Sequence, residues 1–205
     1  MIKVKTEGDC CWITLARPDK ANALTEEMLE SIARAVAATT AKVLILTGEG
    51  KVFSAGADLD GMKQGLGRSP AWEAASAAIA TFPGLSIAAL NGTLAGGAMG
   101  MALACDIRIA VPSANFFYPV MRLGYRPQPS DPARLAALIG PARAKMVLLA
   151  AQRIDAETAL SWGLIDRICA PDALTGTALS LAEAALAADP AHVHTLKRMT
   201  NGEAQ

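Results

Sequence analysis

Two glycine-bearing segments of this chain carry the clearest chemical signal. FSAGAD occupies residues 53–58 and LAGGAMG occupies residues 94–100, and each follows a predicted strand and leads into a predicted helix. The start of a helix presents free backbone N–H groups and a positive dipole end, which suit a carbonyl oxygen that becomes an anion. Two such termini that converge on one point would form an oxyanion hole. The alternative interpretation is that these glycines only allow tight turns and close packing.

Other catalytic patterns are weak. VFSAG lacks the leading glycine of a nucleophile elbow, and the two histidines, His192 and His194, lie near the end of the sequence, so a Ser-His triad is not indicated. The HVH pair offers too few ligands for a metal ion, and no CxxC spacing is present, so we predict no metal site. The cysteines are expected to be buried free thiols in a reducing compartment: Cys10, Cys11, Cys105 and Cys169.

Composition limits the classes of partner. The 205 residues suit one domain with at most a small appendage, and 52% hydrophobic against 19% charged residues predicts an ordered globular chain. A net charge of 0 and the lack of Lys/Arg-rich runs argue against nucleic acid as a partner. No apolar run is long enough for a signal peptide or a membrane span, so the sequence predicts a cytoplasmic protein with no membrane partner.

The elements that must position the glycine segments alternate between strands and helices. IKVKT, CWITLA, KVLILT, LSIAALNG and DIRIAV are predicted strands, and the sequence LTEEMLESIARAVAA is predicted to be helical. Further helices are predicted over residues 70–82, 96–104, 131–150, 155–162 and 172–188. Gly and Pro predict loops at 61–71 and 124–133. This alternation indicates an α/β fold.

Four motifs in order resemble the enoyl-CoA hydratase/isomerase family, also called the crotonase family. RPDKANALTEEM at 17–28 resembles its opening motif, FSAGADLDGM its first oxyanion segment, and ALNGTLAGGAMGMALACDIRIA at 89–110 its second. The helical stretch at 139–168 is also similar. The resemblance implies a crotonase-like spiral of ββα units over residues 1–170. A shortened C-terminal helical segment would follow over 171–205, which puts the family's trimer contacts in doubt.

The resemblance also implies a substrate and a set of site residues. The substrate is an acyl-CoA thioester, so coenzyme A is part of the substrate and no separate cofactor is bound. The implied oxyanion donors are the backbone N–H groups of Ala57 and Gly97. The implied coenzyme A contacts are Ser54, Ala55 and Asp58 at the adenine end, and Lys20, Ala21 and Leu24 near the pantetheine or the phosphates.

The chain departs from the hydratase pattern at the two acid–base positions. The family's hydratases carry one Glu where this sequence has Gly100 and another where it has Val120. Without these carboxylates, ordinary syn hydration has no evident general base. The 2,3-enoyl isomerases of the family commonly use the second position, so Val120 also argues against that reaction.

Replacement acid–base residues are proposed from the loop that follows. Asp131 is the first candidate, with Tyr118 and Tyr125 as proton donors or substrate hydrogen-bond partners. The alternative for Asp131 is structural, because SDPAR is a good helix start with Ser or Asp as the N-cap and Pro in the first turn.

Three further charged residues have open roles. Arg122 and Arg126 would suit a carboxylate on the acyl group of the substrate, or alternatively pairing at a subunit surface. The resemblance implies that Glu73, beside Trp72, lies in a helix that walls the pocket, and the side chain of Glu73 is expected to be solvated.

Two functions therefore remain open. The first is an acyl-CoA enzyme that performs an enolate-dependent reaction other than ordinary hydration: isomerisation, decarboxylation, C–C cleavage or thioester hydrolysis. The second is a non-catalytic protein that binds CoA thioesters. A homotrimer or homohexamer is expected from the resemblance.

Overall fold

The computed structural model describes residues 1–202, and the last three residues of the predicted 171–205 segment lie outside this range. Within residues 1–202, ten strands form two sheets. Six strands form a large sheet in the order β1-β2-β3-β5-β7-β10, and four form a small sheet in the order β4-β6-β8-β9. The strands are β1 Ile2–Glu7, β2 Cys10–Leu15, β3 Val43–Gly48, β4 Val52–Ser54, β5 Leu85–Leu90, β6 Thr93–Ala95, β7 Ile107–Ala110, β8 Asn115–Phe117, β9 Ile154–Asp155 and β10 Arg167–Ile168.

Ten α-helices lie between and after these strands in the described part of the chain. They are α1 Glu26–Ala38, α2 Leu59–Lys63, α3 Ala71–Ala80, α4 Met99–Ala104, α5 Val120–Leu123, α6 Asp131–Ile139, α7 Pro141–Leu148, α8 Ala156–Trp162, α9 Leu174–Ala187 and α10 Pro190–Thr200. The helix α1 begins where the Thr25 hydroxyl accepts a bond from Met28 N–H, and it buries Met28, Leu29, Ile32 and Val36 against the sheet.

A repeated unit explains why there are two sheets. In three successive strand pairs, β3–β4, β5–β6 and β7–β8, the first strand joins the large sheet, the second joins the small sheet, and a helix follows. Within each sheet these neighbouring strands are parallel, so equivalent strand ends lie side by side. This places the two glycine segments, which follow β4 and β6, next to each other.

The central strands are buried because helices cover them. All residues of β5 after Leu85 are buried, which accounts for a continuous apolar run rather than an alternating one. The helix α9 buries Leu174, Ala178 and Ala182, and the Lys42 ammonium group donates to the Leu186 carbonyl at 3.1 Å. The helix α9 of the 171–205 segment therefore packs on the core sheet, whereas α10 buries none of its residues.

The predicted α/β class and the main strands agree with the structure, with three differences. The predicted helix over 131–150 is two helices, because Gly140 adopts φ 82° and Pro141 starts α7. The predicted loop at 61–71 contains the end of α2 and a 3-10 turn over Leu66–Arg68. The predicted loop at 124–133 ends early, because α6 begins at Asp131.

Two smaller observations complete the fold. All four cysteines are free, and Cys10, Cys11 and Cys105 are buried as predicted, whereas Cys169 is partly exposed. Among residues 1–202, no helix has the length and apolarity needed to cross a membrane.

Candidate active site

The two glycine segments meet through their main chains. Gly56 and Gly96 both adopt left-handed backbone conformations, with φ of 95° and 57°. A Cβ atom on Gly56 would lie 3.0 Å from the Ala95 carbonyl oxygen and 3.4 Å from the Gly96 Cα. Both the backbone conformation and the close approach therefore favour glycine at position 56. The residues that follow, Ala57 and Gly97, are brought to one site.

The N–H groups of Ala57 and Gly97 are free to donate. Within residues 1–202, the Leu24 N–H donates to the Gly56 carbonyl, and the Asp58 N–H donates to the Leu24 carbonyl. Ala57 lies between these two bonds, and its own N–H takes no part in the pairing. Gly97 is the second residue of a 3-10 turn over Gly96–Ala98, where a backbone N–H has no partner within the turn. The predicted donors thus point away from the internal hydrogen-bond network.

The first segment is held from behind by buried polar groups. The Ser54 hydroxyl donates to the Asn22 carbonyl at 2.8 Å and accepts from the Gly56 N–H at 3.1 Å, and both Ser54 and Asn22 are fully buried. The Asn22 side chain donates to the Val52 carbonyl at 2.8 Å. This network fixes the loop that carries Ala57.

The implied coenzyme A contacts occupy different environments. Lys20 and Ala55 are exposed, and Ala55 lines the cavity described below. Ala21, at φ 49°, accepts at its carbonyl from the Ala55 N–H at 2.9 Å. Leu24 is fully buried, so its side chain belongs to the core. Ser54 is also fully buried, and its hydroxyl bonds hold the loop that carries Ala57.

Asp58 supports the local structure. Its carboxylate caps α2 by accepting from the N–H groups of Asp60 and Gly61, and it pairs with Arg17 at 3.1 Å. The Gly61 N–H bond, followed by the Arg17 guanidinium, lowers the pKa of the Asp58 carboxyl group. These bonds engage both of its oxygens with protein groups.

A cavity of about 330 Å³ opens beside the two donors. Its wall is mostly apolar, as is usual for ligand sites. The lining residues are Ala55, Ala57, Leu59, Met62, Gly67, Trp72, Gly96, Gly97, Tyr118, Pro119, Val120, Leu123, Tyr125, Arg126 and Gln128. Trp72 closes the wall behind Gly97, where an added Cβ would lie 2.9 Å from the ring.

A buried tyrosine–aspartate pair lies at the cavity wall. Tyr118 follows β8 and lines the cavity, and its hydroxyl donates to Asp131 Oδ2 at 2.7 Å. Both residues are about 1% exposed. Asp131 is not among the lining residues, so Tyr118 stands between it and the cavity. The predicted helix start at SDPAR is confirmed, with Ser130 as the N-cap residue and Pro in the first turn, although Ser130 makes no side-chain capping bond. Asp131 is the first residue of α6 rather than its N-cap, and its carboxylate is buried.

Gly100 provides the space for this carboxylate. A Cβ on Gly100 would lie 2.7 Å from Asp131 Oδ1, and this oxygen has no hydrogen-bond partner among the described residues. Burial raises the pKa of Asp131 to about 6, against the opposing effects of the Tyr118 hydrogen bond and the Arg134 charge. Burial, with the nearby Asp131 carboxylate, also raises the pKa of Tyr118. A carboxylate from α6 thus lies beside the position where a side chain at residue 100 would begin.

Glu73 is a supporting residue that the sequence did not reveal. The expectation that it is solvated was wrong, because its carboxylate accepts from both the hydroxyl and the N–H of Ser130, the latter at 3.3 Å. This joins α3, which carries Trp72, to the start of α6, which carries Asp131. The contact spans 57 positions of sequence and has no local signal.

The remaining candidates divide between two cavities. Tyr125, 37% exposed, and Arg126 line the cavity with the donors, and so does Val120. Arg122 lines a different cavity with Phe117 and Arg153. The two arginines that the sequence placed together are therefore separated. No cluster of potential metal ligands occurs in the described part of the chain.

The chain is similar to several known proteins. The chain is 33% identical to a probable enoyl-CoA hydratase of Mycobacterium bovis over 159 residues, which make up 76% of this chain and 65% of that protein. It is 30% identical to 4-chlorobenzoyl coenzyme A dehalogenase-1 of an Arthrobacter species, over 95% of this chain and 75% of that protein. The crystal structure of enoyl-CoA hydratase from Bacillus anthracis matches with a TM-score of 0.91 and 30% identity, over 98% of this chain and 83% of that one.

These matches confirm the crotonase-type fold that the motifs imply. They leave part of each relative unmatched, since the match spans slightly less than two thirds of the length of the mycobacterial protein. The family model for enoyl-CoA hydratase/isomerase matches residues 5–205. The chain therefore belongs to the enoyl-CoA hydratase/isomerase family.

Proposed function

We propose that this protein is an acyl-CoA-processing enzyme that stabilises a thioester enolate between the N–H groups of Ala57 and Gly97. The observation that carries the proposal is that two unengaged main-chain donors share one mostly apolar cavity. A thioester carbonyl that accepts both bonds gains most when its oxygen becomes negative, because the donors are already oriented. That preference lowers the barrier to breaking a bond at the α-carbon.

The reaction that we propose is an enolate-dependent step other than ordinary hydration. Neither Gly100 nor Val120 has a carboxylate to activate water. Isomerisation, decarboxylation and C–C cleavage are candidates that proceed through the enolate. Thioester hydrolysis is a candidate that would use the same two donors for the tetrahedral oxyanion formed when water adds to the carbonyl carbon. The names of the relatives include a hydratase and a dehalogenase, so membership of the family leaves the product open.

Tyr118 and Asp131 are the proposed proton-transfer pair. In our proposal, protonation of the enolate starts from protonated Asp131, with the 2.7 Å hydrogen bond reversed relative to the structure. The Tyr118 hydroxyl gives its proton to the α-carbon, and Asp131 Oδ2 passes its own proton to the Tyr118 oxygen. In the reverse direction, Tyr118 takes the α-proton while its own proton passes to the Asp131 carboxylate. Asp131 suits this exchange because a pKa of about 6 lies close to neutral pH.

A second candidate function rests on the same two departures from the hydratase pattern. With Gly100 and Val120 in place of glutamates, the chain would bind CoA thioesters through the Ala57 and Gly97 donors without turning them over.

Assembly as a homotrimer or homohexamer and a cytoplasmic location stay predictions.

The test is to incubate the purified protein with crotonyl-, 3-enoyl-, malonyl-type and 3-oxoacyl-CoAs in D₂O. Mass spectrometry follows both new products and deuterium at the α-carbon. We expect α-proton exchange with at least one class, and turnover where the acyl group allows it. Tight binding with neither exchange nor turnover would contradict the enzyme and support the binding protein.

A further inference from the structure

The cavity beside the oxyanion donors has one charged group in its wall. Of the described residues that line it, only Arg126 carries a formal charge. The wall around it is largely hydrocarbon, with Leu59, Met62 and Leu123 among its members. A guanidinium group at the edge of an apolar cavity is a specific feature, because arginine binds planar anions through paired N–H donors.

Arg126 has no internal counter-ion to explain its presence. No ion pair within residues 1–202 involves it. The side chains of its neighbours Tyr125 and Gln128, which line the same cavity, make no hydrogen bond to a described residue either. Three polar side chains of one loop therefore reach the cavity without a protein partner.

The main chain of this loop is fixed even though these side chains are unpaired. The Tyr125 N–H donates to the Val120 carbonyl at 3.0 Å, and the Asp131 N–H donates to the Gln128 carbonyl at 3.1 Å. The ring of Tyr125 lies against Gly67, where an added Cβ would be 2.7 Å from a ring carbon. The loop thus fixes the main chain on both sides of Arg126, and the exposed Arg126 side chain extends from this fixed position at the edge of the cavity.

We propose that the acyl group of the substrate carries a carboxylate and that Arg126, assisted by Tyr125 and Gln128, binds it. This inference rests on the proposed function, because it assigns the thioester to the donors in the same cavity. The substrate class is then a dicarboxylic acyl-CoA. A neutral acyl chain in this cavity would remove water from the guanidinium group and give no hydrogen bond in return.

The test compares substrates that differ in this one group. Binding of glutaryl-CoA and of pentanoyl-CoA is measured by calorimetry for the wild type, Arg126→Gln and Arg122→Gln. Arg122 is the matched control, since it is also exposed but lines another cavity. We expect the wild type to prefer glutaryl-CoA by about tenfold to a hundredfold, as charge-assisted hydrogen bonds usually give. Arg126→Gln should abolish this preference, and Arg122→Gln should preserve it.

A second comparison separates the acyl carboxylate from the phosphates of coenzyme A. The same measurements with glutaryl-pantetheine and pentanoyl-pantetheine, which lack the nucleotide phosphates, should show the same loss in Arg126→Gln. An equal loss of glutaryl- and pentanoyl-CoA affinity in Arg126→Gln, with no loss for the pantetheine thioesters, would overturn the proposal in favour of a phosphate contact. A wild type that binds pentanoyl-CoA as tightly as glutaryl-CoA would also overturn it.

The enolate chemistry of the proposed function is tested separately from the carboxylate site. Exchange of the α-proton of pentanoyl-CoA in D₂O reports the oxyanion hole without a carboxylate in the acyl group. Exchange without a preference for glutaryl-CoA would refute the role of Arg126 and retain the enolate chemistry. A preference for glutaryl-CoA without exchange of either substrate would support the carboxylate site and contradict the enzyme.

Discussion

The two sides of the cavity are built on different principles. On one side, the proposed carbonyl donors Ala57 and Gly97 belong to the main chain and lie in two short segments that repeat the same strand-to-helix connection. On the other side, the proposed proton-transfer residues Tyr118 and Asp131 present side chains that come from the end of β8 and from α6. The first side depends on backbone geometry, and the second depends on which side chains share a buried space.

This difference separates what is general in the site from what is particular to it. A main-chain donor survives most substitutions, because every residue except proline has an N–H group. An acid–base side chain is lost with one substitution, as at Gly100 and Val120, and a new one can come from another element. The enolate should therefore be the fixed feature, while the proton-transfer group decides the product.

The largest effect is expected from removing a main-chain donor. Ala57→Pro deletes the free N–H without touching the bonds to Leu24, which use the Gly56 carbonyl and the Asp58 N–H. We expect α-proton exchange to fall on the order of 10³-fold, the upper part of the range for loss of one oxyanion donor. The measurement is deuterium incorporation into the acyl-CoA that the wild type exchanges best.

Gly97 is a poorer place for the same experiment. A side-chain atom on this residue would lie 2.9 Å from the Trp72 ring, so any substitution there also disturbs the wall. The control for Ala57→Pro is its thermal unfolding and its affinity for free coenzyme A, both of which should stay near the wild type. Full exchange activity in a folded Ala57→Pro protein would remove Ala57 from the oxyanion hole.

The same contrast explains how far the sequence could predict the site. The segments at 53–58 and 94–100 are local motifs, so the sequence alone marks two helix starts, and the resemblance to the family then implies Ala57 and Gly97 as the donors. The fold class followed from the alternating elements. The three-residue strands β4, β6 and β8 were only partly visible, because they are too short for a periodic pattern.

For the side of the cavity that carries Tyr118 and Asp131, the sequence predicts only a set of candidate acid–base residues. Tyr118 and Asp131 were both named, but their 2.7 Å bond depends on the path of the loop between them. The fit of Asp131 against Gly100 depends on the packing of α6 on α4, and no spacing rule encodes it. Long-range contacts of this kind need the tertiary structure.

A smaller effect is expected from the proton-transfer pair. Tyr118→Phe removes the hydroxyl that joins Asp131 to the cavity, and exchange should fall about a hundredfold, the low end for general acid–base catalysis. The wild-type exchange rate should rise with pH through a midpoint near 6, as Asp131 becomes able to accept a proton. Tyr118→Phe should flatten this rise.

Tyr125→Phe is the matched control when pentanoyl-CoA is the substrate, because this acyl group lacks the carboxylate that Tyr125 is proposed to help bind. Tyr125 lines the same cavity but makes no bond to Asp131. We expect it to retain the midpoint near 6 and to lose less than about threefold of the exchange rate, as a hydroxyl outside proton transfer contributes little to catalysis. Equal losses in the two variants, with the same pH profile, would show that Tyr118 acts only through packing.

The smallest expected effect concerns stability rather than rate. Asp131 has a pKa of about 6 in the folded protein, against about 3.9 for an unperturbed Asp. Between these values the folded state binds more protons than the unfolded state, so the free energy of unfolding should decrease as pH rises from about 4 to about 6. Below pH 4 the Asp131 carboxyl group is protonated in both the folded and the unfolded state, so it adds no pH dependence. Above pH 6 it is ionised in both states, and the total decrease in the free energy of unfolding from burying its charge is at most ~3 kcal/mol.

Asp131→Asn should remove this dependence, because an amide does not titrate in either state. The difference in unfolding free energy between the variant and the wild type, measured in urea at several pH values from 4 to 7, should move in favour of the variant as pH rises. Asp172→Asn, at an exposed position, should leave the wild-type slope unchanged. A constant difference for Asp131→Asn would mean that the Asp131 carboxylate is as well solvated in the folded chain as in the unfolded one. The buried pair would then have no raised pKa to support proton transfer, and only the main-chain side of the cavity would retain its proposed role.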